Sequence, residues 1–62
     1  MKVREVLGML RAAGWYIVGT RGSHRQFKHP ALRGRVTIAG KLNDELARGT
    51  LNSIFRQAGW KK

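Results

Sequence analysis

Gly22-Ser23-His24-Arg25-Gln26-Phe27-Lys28-His29-Pro30 reads as one short strand held between two chain breakers. Glycine tolerates positive φ and serine bonds its own backbone, so Gly22-Ser23 marks a tight turn. Pro30 has no backbone N–H and biases His29 away from helix, which ends the segment. Between the breakers, His24, Gln26 and Lys28 alternate with Arg25, Phe27 and His29, the period at which successive side chains point to opposite faces. With Phe27 turned into a core, His24, Gln26 and Lys28 stand outward together. The stretch holds both histidines, two of the thirteen cationic residues and the only proline. An imidazole on an open face among cations is placed for phosphate chemistry.

On the N-terminal side, Trp15 to Thr20 is rich in aromatic and β-branched residues and reads as a strand. A turn around Arg21 to Ser23 joins it to the His24 strand as a hairpin. Its two faces, Trp15, Ile17, Gly19 and Tyr16, Val18, Thr20, both carry apolar groups, so its sidedness stays open. At least one of Trp15 and Tyr16 is expected to pack, while an exposed aromatic here would stack on a base. On the C-terminal side, Ala31 to Gly34 is a loop. Arg35 to Ala39 follows as a third strand, Val36 and Ile38 inward and Thr37 outward. Three short strands joined by tight turns predict an antiparallel meander, packed on one face and open on the other.

Helices flank the sheet. From Lys2 to Ala13, Val3, Val6, Leu7 and Leu10 form an apolar stripe, with Met9 and Ala13 at its edge and Gly14 where a left-handed cap belongs. From Thr50 to Ala58, with Thr50 as the expected N-cap, Leu51, Ile54, Phe55 and Ala58 form a second stripe. Gly59 caps that helix and Trp60 is expected to fold back on its last turn. Gly40 to Gly49 is a loop or a single helical turn. Its adjacent acids, Asp44 and Glu45, have no third ligand and make a poor metal site. The order α-β-β-β-α predicts an α+β two-layer sandwich, a three-stranded antiparallel sheet with two helices on one face. It forms one domain over residues 1–62 and shares its element order with double-stranded RNA-binding domains.

Charge narrows the function. Thirteen Lys and Arg against three acids give a net charge of +10, the footprint expected of a nucleic-acid binder. An anionic membrane surface and an acidic protein partner are the rivals. A chain of 62 residues without cysteine has no disulfide or thiolate zinc site to staple it, and this fits a cytoplasmic setting. No apolar run reaches the roughly 18 residues that span a bilayer, and no signal-peptide pattern opens the chain. No Gly-rich phosphate loop, Cys-His arrangement or carboxylate pair competes with His24 as a site. Taken on its residues alone, an outward histidine among cations is more often a binding residue than a catalyst.

The residues themselves alter that balance. Gly14-Trp15, the stretch from Gly22 to Pro30, Gly49-Thr50-Leu51, Ser53-Ile54 and Gln57-Ala58-Gly59 together closely resemble the HicA (YcfA-like) toxin family. The resemblance implies a toxin of a toxin–antitoxin system: an mRNA interferase with a double-stranded-RNA-binding-like fold, neutralised by a HicB-type antitoxin. The family's functional histidine matches His24 by its place in Gly22-Ser23-His24. Some members carry a His-Pro pair shortly after the third strand; Ala39-Gly40-Lys41 stands there in this chain, so no second histidine contributes from that loop. The expected mechanism uses no metal or other cofactor. The RNA's own 2′-hydroxyl attacks, and His24 moves its proton as general base or acid. Ser23, Arg25, Gln26, Lys28 and Arg35 are the expected RNA-binding residues, and His29 is expected to be structural. The expected partners are mRNA and an acidic antitoxin covering the His24 face, in the cytoplasm and away from membranes. The alternatives are a non-catalytic RNA-binding module and an interaction protein whose charge docks an acidic partner.

Overall fold

Phe27 fixes which side of the sheet is the inside. In the computed structural model, which describes residues 1–60, its side chain is 1% exposed, while Lys28 beside it faces solvent. The elements are α1 (Val3–Ala12), β1 (Tyr16–Arg21), β2 (His24–Lys28), β3 (Val36–Ile38) and α2 (Arg48–Ala58). β2 is the central strand, antiparallel to β1 and β3. Phe27 pairs with Ile17 on one side and Val36 on the other, so these three share a face. On that face, Phe27, Val36 and Ile38 join Val3, Val6, Leu7 and Leu10 of α1, Ile54 and Ala58 of α2, and Trp15 in a single buried cluster. Both apolar helix stripes therefore cover one side of the sheet, and the other side is left open. This is the expected α+β sandwich.

The helix ends explain most of the loops. Trp15 precedes β1: its N–H closes α1 on the Leu10 carbonyl at 2.9 Å, and the Gly14 N–H bonds Arg11 at 3.1 Å. That closure needs a left-handed residue, and Gly14 has φ +95°. At the other end of α1, the Lys2 N–H donates to the Glu5 carboxylate at 2.7 Å. The N–H groups of Val3 and Arg4 donate to the carbonyls of Asp44 at 3.0 Å and Leu42 at 3.1 Å. The stretch after Gly40 is thus a loop that caps a distant helix, rather than a helical turn of its own.

α2 starts at Arg48, so Thr50 is not its N-cap, contrary to the sequence expectation. Ala47 occupies the cap in an extended conformation, and its carbonyl accepts the Leu51 N–H at 2.9 Å, which opens the ladder before Thr50. The C-terminal end is as expected. Gly59 is left-handed at φ +78°, Trp60 N–H bonds the Phe55 carbonyl at 2.8 Å, and its ring meets Phe55 edge-on at 5.2 Å.

His29 is a structural staple. Its Nδ1 accepts the N–H groups of Ala31 at 3.0 Å and Leu32 at 3.2 Å, so the proton of the neutral ring sits on Nε2. Nε2 in turn donates to the Ala13 carbonyl at 3.0 Å, tying the turn after β2 to the end of α1. The ring stands edge-on to Trp15 at 5.3 Å.

Candidate nucleic-acid interface

β2 alternates as its sequence requires, and cross-strand partners in an antiparallel sheet share a face. The open face therefore carries His24, Gln26 and Lys28 from β2, opposite Arg21, Gly19 and Tyr16 of β1. Thr37 of β3 pairs with Gln26 on the same side. The hairpin between β1 and β2 is a two-residue turn with Gly22 at φ +59°, where such turns call for glycine.

The pairing of Arg21 with His24 depends on an irregularity. The register shifts between Ile17 and Gly19, leaving Val18 as an extra residue in β1. Such a bulge re-aims every side chain beyond it. A regular ladder continued from the Ile17–Phe27 pair would set Thr20 opposite His24; the bulge sets Arg21 there instead. The sequence places Arg21 in the turn and gives little sign that it joins His24 on this face. The only local signal was Gly19 inside a strand.

Gly19, Thr20, Arg21, His24, Gln26 and Thr37 line a shallow concavity of about 440 Å³ with the exposed imidazole at its wall. Gln26 is held beneath it by Arg35, whose Nη1 donates to Oε1 at 2.7 Å. Lys28 is exposed further along the same face, and Ser23 is exposed in the adjoining turn. Arg25 is not brought to this group. Its Nη1 donates to the Gly40 carbonyl at 2.9 Å and the Ser23 carbonyl at 3.3 Å, partly buried on the helix side. A larger hollow of about 500 Å³ lies between the helices, lined by Met9, Ala12, Ala13, Phe55 and Trp60, but it carries no titratable side chain.

The electrostatics follow from where the acids are. Glu5 holds the Lys2 N–H, and Asp44 holds the Lys41 N–H at 2.9 Å. Glu45 pairs with the N-terminal ammonium, whose hydrogen bond and charge hold its carboxyl below the usual range. All three acids are thus engaged beside the start of α1, and none lies on the sheet face. Among the described residues the N-terminal pair is the only ion pair, so Arg21, Lys28 and Arg35 present their charge outward. The face offers one acid–base group, several cations and hydrogen-bond donors, the equipment for binding a phosphodiester and moving a proton beside it. No group of three His, Cys, Asp or Glu able to hold a metal occurs among the described residues.

In comparison with known families, the one described as HicA toxin of bacterial toxin-antitoxin matches residues 3–60. No curated protein sequence matches the chain significantly.

Proposed function

The chain belongs to the HicA toxin family of bacterial toxin–antitoxin systems, and from that premise and its open cationic face we propose that it is an endoribonuclease acting on mRNA through His24. The single observation that carries the proposal is His24 itself, solvent-exposed and paired with Arg21 on a face without acids. In the reaction, the ribose 2′-hydroxyl attacks the adjacent phosphorus and the P–O5′ bond breaks. The products are a 2′,3′-cyclic phosphate and a 5′-hydroxyl. An imidazole can accept or donate a proton and is suited to take the 2′-hydroxyl proton or to hand one to the leaving O5′. Arg21 beside His24, with Arg35 at Gln26, stabilises the charge on the phosphate oxygens, Lys28 holds a phosphate farther along the strand, and Ser23 and Gln26 are polar contacts. The nucleophile comes from the RNA, so the reaction has no need of a metal-activated water.

The toxin acts on messenger RNA in the cytoplasm and is held in check by an antitoxin whose acidic surface covers the sheet face. No helix among the described residues is long and apolar enough to cross a membrane. Incubation of the purified chain with single-stranded RNA in chelator tests the reading. Cleavage leaving 2′,3′-cyclic phosphate ends, with 2′-deoxy strands intact, is the expected result. Binding without cleavage would instead make the chain a non-catalytic RNA-binding module.

A further inference from the structure

Tyr16 takes no part in the chemistry above, yet it sits on the same face. It opens β1 opposite Lys28, so the two side chains project to the side that carries His24. Its ring is 50% exposed, whereas the adjacent Trp15 is 3% exposed. Of the two aromatics, the core takes Trp15 and the open face takes Tyr16. A half-exposed tyrosine is ordinary by itself. What gives this one meaning is its place: an aromatic face beside a lysine, on a surface otherwise made of cations and hydrogen-bond donors.

Between Tyr16 and Arg21 on β1, Gly19 faces Gln26, and a Cβ there would meet nothing within 4 Å, beside the exposed bulge residue Val18. His24 and Lys28 lie four residues apart on one strand, about 13 Å at the rise of an extended chain. An RNA strand with its phosphate at His24 and Arg21 would thus reach Tyr16 and Lys28 within a short run of nucleotides. Aromatic side chains bind RNA by stacking on bases that are splayed out of a helix; in a duplex the base faces are already covered.

We propose that Tyr16 stacks on an unpaired base of the RNA that His24 cleaves, which makes the substrate single-stranded RNA laid across the sheet. The proposal rests on the RNA-cleaving function above. It sets this chain apart from duplex binders of the same element order, which read shape rather than base faces.

The test uses His24→Ala protein, so that the substrate survives, with short single-stranded RNAs carrying 2-aminopurine at successive positions. Stacking on Tyr16 is expected to quench the probe at one position. In the same background, Tyr16→Phe keeps affinity and quenching, whereas Tyr16→Ala loses the quenching and binds about 5- to 140-fold more weakly. An abasic nucleotide at the quenched position probes the same contact without altering the protein and is expected to weaken binding comparably. A duplex of the same sequence is expected to bind more weakly than the single strand. Unchanged affinity for the abasic RNA, or equal binding of the duplex, overturns the assignment of Tyr16. Loss of all RNA affinity in the His24→Ala parent would overturn the RNA-cleaving function itself, and the parent's binding curve tells the two failures apart.

Discussion

Replacing His29 with alanine separates the work of two histidines that lie five residues apart. The ring donates to Ala13, accepts two N–H groups from Ala31 and Leu32, and meets Trp15 edge-on. Each hydrogen bond is worth about 0.5–1.5 kcal/mol net, toward the lower end here because water can replace the lost partner. The aromatic pair adds about 0.5–1.5 kcal/mol. The loss is therefore about 2–4 kcal/mol, against a total of about 3–9 kcal/mol for a domain of this length. For so small a domain that lowers the melting temperature by roughly 10–30 °C. His29→Asn dissects the effect, because Oδ1 stands where Nδ1 was and recovers the turn bonds but neither the Ala13 link nor the Trp15 contact. Circular dichroism melts should place His29→Asn between wild type and His29→Ala. A His29→Ala protein that melts with wild type would refute the staple.

Gly19→Val should stabilise β1 by about 0.5–1 kcal/mol while slowing RNA cleavage, because the new side chain has free space but lies between His24 and Tyr16. A melt beside a cleavage assay checks it, and a variant that is fully active would show that RNA does not lie along this face. Phe27→Ala should cost about 3–5 kcal/mol, since the ring is fully buried at the centre of the sheet; an unchanged melt would mean that the faces are misassigned. In complex with its antitoxin, amides of residues 22–28 should be protected from hydrogen exchange. Protection confined to α1 would mean inhibition from a distance instead.

The strand period carries most of the fold and the make-up of the open face on β2. Alternation through residues 24–28 placed His24, Gln26 and Lys28 outward and Phe27 inward because one register satisfies both the core and the turn. The same alternation sets Arg25 on the core side, where its bond to Gly40 holds it away from the His24 group. Arg21 was beyond reach, because a bulge changes parity without a distinctive side chain to announce it. Ala47 as the cap of α2 was equally silent: with no side-chain hydrogen bond at the cap, no Ser, Thr, Asp or Asn marks it. The loop after Gly40 could not be read locally at all, since its carbonyls serve the N-terminus of α1 some forty residues earlier.

The central claim is that His24 moves a proton and does little else. Its ring is exposed and outside the core, so truncation should change stability by no more than about 0.5 kcal/mol. On this account RNA affinity comes mainly from Lys and Arg contacts to phosphate, so binding should persist. Acid–base help from a positioned side chain is worth about 10²–10⁴-fold in rate. The measurement is the single-turnover cleavage rate of His24→Ala beside wild type on one single-stranded RNA, with both proteins saturated and their melts matched. A fall of at least about 10²-fold is the expected result; cleavage at the wild-type rate by the folded variant would contradict it.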